Sequence, residues 1–128
     1  MRALLDTHVF LWWLAGDSSL SFSARDTIAD EDSTILVSAA TAWEIATKHR
    51  LGKLPGAASI ASDIERSVRG EGFTPMDVTM QHAQRAGALR GYHRDPFDRV
   101  LLAQAQREGC VLVSNERLFD RYGVDRLW

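Results

Sequence analysis

The chain reads as an α/β sandwich built around a mainly parallel sheet. Three observations predict it: short apolar runs (RALL, TILV, CVLV) that do not alternate with polar residues, helical stretches between them, and turn residues where the pattern changes. Strands that are apolar at successive positions bury both faces, and helices on either side of the sheet provide the cover. At 128 residues, with 45% hydrophobic and 25% charged content, the sequence fits one soluble globular domain over 1–128.

The first strand lies in RALLD (2–6), and HVFLWWLAG (8–16) follows as a helix. SFSARDTIADED (21–32) opens on polar residues and then takes helical spacing, with Ser21 or Ser23 as its cap. TILVS (34–38) is the second buried strand, and AATAWEIATKHRLGKL (39–54) is a helix broken near Pro55-Gly56. SIASDIERSVRGEG (59–72) is amphipathic and ends at glycines. In FTPMDV (73–78), Pro75 confines a short strand to an edge or a strand end, because proline donates no ladder hydrogen bond. MQHAQRAGALRGYH (80–93) is helical and closes at Gly91. The clearest helix is DPFDRVLLAQAQREG (95–109), with Pro96 at its first position and Gly109 as its stop. CVLVS (110–114) is the third buried strand, and VDRLW (124–128) a short final one.

Several function classes are excluded early. No apolar run approaches the ~20 residues that span a bilayer, and Met1-Arg2 leads directly into the first strand with no secretion leader. The single Cys110 rules out an internal disulfide; within CVLV it suits a buried core position and a cytoplasmic setting. A net charge of −2 argues against a general nucleic-acid coat protein but not against a nuclease, whose metal-holding acids lower the total. There is no Gly-rich phosphate loop, no dinucleotide fingerprint and no serine elbow. Cys110 with His8, His49, His82 and His93 does not give zinc spacing.

Three carboxylates stand among core-forming residues: Asp6 in LLDTH, Glu44 in TAWEIA and Asp98 in DPFDRVLL. An isolated buried carboxylate is costly unless it is hydrogen-bonded, neutralised or paired with a cation. Three such acids point to a divalent metal site, and so to a metal-dependent hydrolase acting on a phosphate-bearing substrate. Each has a competing structural role. Asp6 suits a helix N-cap, with Thr7 as a hydroxyl donor beside it and His8 directed elsewhere. Glu44 suits a surface ion pair with Lys48, four residues on. Asp95, Pro96 and Asp98 together make a helix-start signal. Asp98, however, precedes Leu101 and Leu102 by three and four residues and so leans towards the buried face; it is taken as a ligand and Asp95 as the cap. Ligands of parallel α/β sheets bind beyond the carboxyl ends of the strands. Asp6 and Ser114-Asn115-Glu116 lie at such ends, and Glu44 follows another. Lys48, Arg50, Arg94 and Arg99 are candidate phosphate contacts.

With LLDTH at the start, SAATAWEIATKHRLGKL in the middle, and HRDPFDRVLLAQA and LVSNERLF near the end, the chain resembles the PIN-domain family. More narrowly, it is similar to the VapC-type toxins of bacterial type II toxin–antitoxin pairs. The resemblance runs through essentially the whole chain. It implies a three-layer α/β/α sandwich, a Mg²⁺- or Mn²⁺-dependent endoribonuclease activity, and a cognate antitoxin that blocks it. Carried over by position, the family's acidic positions fall on Asp6, Glu44, Asp98 and Glu116. The last is a Glu where Asp is usual, and its longer side chain implies reach to a metal only through water. Ser114 matches the family's hydroxyl, while Lys48, Arg99 and Asp95 match recurrent positions on the substrate side.

Mg²⁺ keeps several waters and takes one or two carboxylates directly. Asp6 and Asp98 are therefore the expected direct ligands, with Glu44 and Glu116 acting through water or on a second ion. Metal-activated water would attack the scissile phosphate in line. The resemblance further implies a homodimer, to which the helix bearing Trp12 and Trp13 contributes, and contact with DNA only through the antitoxin. Three alternatives stand beside this reading: a structure-selective DNA nuclease, a catalytically silent partner in a DNA-binding repressor complex, and a phosphatase using Asp6 as nucleophile. The last would want a second Asp two residues on, where His8 stands.

Overall fold

The computed structural model describes residues 1–91 and 94–128. The chain runs β1 (Arg2–Leu5), α1 (Thr7–Ala15), α2 (Phe22–Ala29), β2 (Thr34–Ser38), α3 (Ala39–Arg50), α4 (Ala58–Ala61), α5 (Ile64–Gly70), β3 (Thr74–Met76), α6 (Met80–Ala88), α7 (Pro96–Glu108), β4 (Val111–Val113), a 3₁₀ turn (Arg117–Tyr122) and β5 (Arg126–Leu127). The five strands form one sheet in the order β3-β2-β1-β4-β5, and every pairing is parallel.

β1 is the central strand, with Leu4 aligned to Leu36 of β2 on one side and to Leu112 of β4 on the other. Ala3, Leu4 and Leu5 are all fully buried, because successive side chains enter opposite layers. Ala3, Leu5, Ile35, Val37 and Val113 join Val9 and Phe10 of α1, Ala24 and Ile28 of α2, and Val68 of α5 on one face. Leu4, Leu36 and Leu112 meet Leu101, Leu102 and Ala105 of α7 on the other, with Cys110 and Phe119. The unalternating strands thus have a helical layer on each side, and Cys110 is a core residue. Trp13 packs on Phe73 and Trp12 on Trp128, so the first helix's tryptophans work at the sheet's flank.

β3 and β5 are the edges, and Pro75 sits in β3 opposite Val37. Ser21 rather than Ser23 caps α2, accepting from the Ala24 N–H at 3.1 Å. Three boundaries differ from expectation. α3 stops at Arg50, and the chain turns at Gly52, whose φ of 72° breaks the helical path before Pro55. The 59–72 segment divides into α4 and α5, because Asp63 leaves the helical region and caps the second piece through the Arg66 N–H at 3.1 Å. α6 ends at Ala88, short of Gly91, since the Arg99 guanidinium takes the carbonyls of Ala86 (3.0 Å) and Leu89 that another helical turn would need. Tyr92 and His93, at the end of that expected helix, lie outside the described residues. Among the described residues, no helix is long and apolar enough to cross a membrane.

Candidate active site

β2 and β3 lie on one side of β1, and β4 and β5 on the other. The strand order reverses between β1 and β4, and in parallel sheets this is where chains diverge and leave a crevice beyond the strand ends. Asp6 is the first residue past β1 and Ser114 the first past β4. The Asp6 N–H donates to the Val113 carbonyl at 3.0 Å, and the Ser114 hydroxyl donates to Asp6 Oδ2 at 2.7 Å.

Asp6 occupies the N-cap position of α1 with extended backbone, yet its side chain makes no capping bond. Its carboxylate is buried and held by Ser114 instead. Burial raises its pKa; the Ser114 hydrogen bond and the nearby His8 oppose this, and Glu44 adds to it. Thr7, next in the chain, shares a buried hydroxyl hydrogen bond of 3.1 Å with Thr41, which ties the starts of α1 and α3 together.

Glu44 points inward from the second turn of α3 and is 2% exposed. It does pair with Lys48, but the pair is not on an open surface: Glu44 Oε2 accepts from Lys48 Nζ while Oε1 is buried with no hydrogen-bond partner. Burial works to lower the Lys48 ammonium's pKa. The hydrogen bond and charge of Glu44, with Asp95 and Asp98 behind it, outweigh burial and raise it.

At the start of α7, Asp95 Oδ1 accepts from the N–H groups of Phe97 (2.9 Å) and Asp98 (3.2 Å), with Pro96 at the first helical position. Because Asp95 does the capping, the Asp98 carboxylate is not used for it. Asp98 is pushed from an ordinary 3.8 up to about 8, by burial first and then by the charges of Asp6, Asp95 and Glu44, against the pull of Lys48. Glu116 is exposed and caps the following 3₁₀ turn through the Leu118 N–H (3.1 Å), while its own N–H donates to the Ser114 hydroxyl at 3.0 Å.

These side chains border one cavity of about 260 Å³: Asp6, Glu44, Asp95, Asp98 and Glu116, with His8, Trp12 and Asn115 completing it. All four acids singled out from the sequence, and the capping Asp95, therefore share a site. Ser114 is fully buried and joins Asp6 to Glu116, which makes it a positioning group. Lys48 reaches the site through Glu44. Arg99 directs its guanidinium to the end of α6, while Arg50 and Arg94 are exposed and do not border the cavity. His8 does border it, contrary to expectation, because a helix starting at the strand end exposes its first-turn side chains around the rim. Trp12, one turn further on, and Asn115 belong to the same rim; the sequence signal for them was their spacing from Asp6 and Ser114.

A parallel α/β sandwich with acids gathered beyond the β1 and β4 ends defines a structural class, an α/β fold with an acidic pocket where its strand order reverses. The comparisons with known proteins narrow that class. A PIN domain is matched over residues 3–125. The chain is 33% identical over 119 residues to Ribonuclease VapC22 of Mycobacterium tuberculosis, covering 89% of this chain and 86% of that one. It is 43% identical over 58 residues to Ribonuclease VapC16 of the same organism; that match takes 45% of this chain and spans only 41% of VapC16. Among solved structures, VapBC2 from Rickettsia felis bound to a promoter DNA fragment superposes with a TM-score of 0.71 at 17% identity. It covers 99% of this chain and 98% of that one, and shows the fold. The chain belongs to the PIN-domain family.

Proposed function

We propose that this protein is a metal-dependent endoribonuclease of the VapC type, the toxin of a two-protein toxin–antitoxin pair in the bacterial cytoplasm. Two relatives bearing the name Ribonuclease VapC and a family match through almost the whole chain support the RNA-cleaving reading. The R. felis neighbour is a VapBC complex on promoter DNA, which supports a cognate antitoxin as partner and DNA contact through it.

The observation that carries the reading is the buried Glu44 Oε1, an acceptor with no partner in a cavity it shares with Asp6 and Asp98. An unpartnered buried carboxylate oxygen costs roughly 1–3 kcal/mol or more, and a cation removes that cost. The donor set is oxygen throughout, which suits Mg²⁺ or Mn²⁺. Among the described residues, no three His, Cys, Asp or Glu side chains are gathered closely enough to hold a metal ion by themselves. Mg²⁺ needs no such cluster, since it keeps most of its waters and takes one or two carboxylates. Asp6 and Asp98 would hold the ion directly, with Glu44, and Glu116 through water, completing its surroundings. When bound, the ion supplies activated water and charge stabilisation at the scissile phosphate.

This chain's own residues prepare that event. Ser114 fixes the Asp6 carboxylate in one orientation, and Asp95 leaves Asp98 turned to the cavity. Lys48 balances Glu44, so the pocket is not purely repulsive before the cation enters. Burial and the neighbouring acids push the Asp98 pKa up to about 8, so a proton would compete with the cation for this carboxylate.

Two active subunits side by side, as a homodimer, complete the proposal. The test is cleavage of matched RNA and DNA oligonucleotides with saturating Mg²⁺, by the parent and by Asp6→Asn and Asp98→Asn. RNA-selective cutting that falls at least ~100-fold in both variants is expected. A folded variant cutting at the parent rate removes the metal assignment, and preference for DNA removes the ribonuclease reading.

A further inference from the structure

A second cavity lies outside the acid pocket, along the groove between α6 and α7. It measures about 580 Å³, and its lining includes Gln81, Gln84, Arg85, Arg90 and Arg107. All five are exposed. Arg85 donates to Gln106 Oε1 at 3.1 Å and Arg107 to Gln81 Oε1 at 2.6 Å. Their partners are neutral carboxamides, so these contacts orient the guanidinium groups without neutralising them. The nearest carboxylate along the chain, Glu108, hydrogen-bonds His82 Nε2 at 2.8 Å and feels the charges of Arg107 and Arg2, but it does not line the groove, so Arg85 and Arg90 face no acid within it. In a chain of net charge −2, three arginines and two glutamines without an acid among them make a local reversal of sign.

The groove also has a direction. Arg107 meets Gln81 at the end of α7 and the start of α6, whereas Arg99 meets Ala86 and Leu89 at the start of α7 and the end of α6. The helices are therefore antiparallel. Arg90 marks the end of the groove next to the first turn of α7, which carries Asp95 and Asp98. From Asp98 to Arg107 is nine residues of helix, about 14 Å along the axis. A polyanion lying on the three arginines would thus lead towards the acid pocket.

We propose that this groove binds the sugar–phosphate backbone of single-stranded RNA beside the cleavage site, with Arg85, Arg90 and Arg107 as phosphate contacts and Gln84 as a neutral donor. The inference rests on the ribonuclease reading for its purpose, though not for its chemistry. Guanidinium groups match phosphate oxygens in a fixed fork, and a basic track along an otherwise acidic protein steers a polyanion. The contacts carry no base selectivity. They raise the affinity for long RNA over short RNA.

The test is fluorescence anisotropy of a labelled single-stranded oligouridylate in EDTA over a KCl series, comparing the parent with R85Q/R90Q/R107Q. Arg69→Gln serves as a control, because Arg69 pairs with Glu65 on another helix. Each phosphate contact contributes about 0.7 to the slope of log affinity against log salt for a single strand. The triple variant should lose about 2 from that slope and bind at least ~10-fold more weakly near 0.15 M salt, with Arg69→Gln like the parent. In Mg²⁺, the parent's preference for long over short RNA in kcat/KM should collapse in the triple variant. Unchanged affinity and slope overturn the proposal, as does a parent that fails to bind the oligonucleotide at low salt. Unchanged RNA binding with a weakened antitoxin complex also overturns it, and makes the groove a protein interface. If the parent binds through the groove yet cuts no RNA, the ribonuclease reading fails and the groove stands. If it cuts RNA while the triple variant binds normally, the groove fails alone.

Discussion

Asp98→Asn should make the metal-free protein more stable, and increasingly so as the pH rises. An acid whose pKa is raised in the folded state contributes with the opposite sign to a salt-bridged carboxylate. Below about pH 4 both folded and unfolded chains hold the proton, and Asp98 contributes nothing. Between its ordinary 3.8 and about 8, the unfolded chain has released the proton while the native state retains it. Each pH unit then removes roughly 1.4 kcal/mol of stability. The whole displacement is worth on the order of 6 kcal/mol as a ceiling. Asp98 is only half-buried, and water reaching it lowers the effective cost. About 2 kcal/mol is the working expectation, or roughly 6 °C in Tm for a domain of this size. Asn keeps the shape and removes the charge. Thermal and urea unfolding in EDTA, from pH 4 to 9, should give coincident stabilities near pH 4 that separate steadily, with the Asn variant ahead above pH 8. Added Mg²⁺ should then raise the parent's Tm more than the variant's, because the variant has lost one of the two carboxylates proposed to hold the ion directly. An Asn variant that is less stable at pH 8.5, or a gap that does not change with pH, would refute the electrostatic account of this pocket without any appeal to activity.

Two further outcomes follow from single contacts. Ser114→Ala removes the hydroxyl that orients Asp6. Losses of this kind cost about 10–100-fold in metal affinity, so Mn²⁺ titration calorimetry and the Mg²⁺ dependence of cleavage should both shift, with little change in the saturated rate. Lys48→Ala leaves Glu44 buried and unpaired; breaking a buried pair costs about 3–5 kcal/mol, reduced to ~2 here by the exposure of Lys48. Adding Glu44→Gln should restore most of that loss, and a double-mutant unfolding cycle reads the coupling directly.

Much of this molecule was legible because its strands bury both faces. RALL, TILV and CVLV announced parallel strands by refusing to alternate, and Pro75 announced an edge. Helix ends were read well where one residue decides them: Pro96 and Gly109 bound α7 as expected. They were read poorly where tertiary structure decides. α6 stops at Ala88 because an arginine thirteen residues beyond Ala86 takes the carbonyls, and no local pattern contains that fact. The acids were legible for the same reason as the strands, since a charge amid core residues is an inconsistency that must be compensated. What the sequence left open was whether each acid was compensated locally or jointly. Arg99 and Lys48 show the limit: both are cations near the site, yet one braces a helix end and the other pairs with the buried Glu44. The groove arginines share no local pattern, because Arg85 lies on α6, Arg90 just past its end and Arg107 on α7, and only folding brings them to one groove.

Asp6 is where local and joint compensation can be told apart. Its backbone adopts the N-cap conformation, and an aspartate there would ordinarily accept from the N–H two or three residues on and stabilise the helix by about 1 kcal/mol. It forgoes that bond. The carboxylate instead lies buried across the reversal point of the sheet, raised in pKa and held by a serine from the neighbouring strand end. At α7 the same residue type does the opposite: Asp95 takes both N–H groups, and Asp98 three residues later borders the cavity. One helix start has given up its cap and the other has duplicated its acid, and in both cases an extra carboxylate reaches the same cavity. Local stability accounts for the cap at α7 but not for the forgone cap at Asp6. A sequence that gives up a local cap to bury a carboxylate is paying for function there, and an oxygen-seeking cation is the ligand we propose to compensate it.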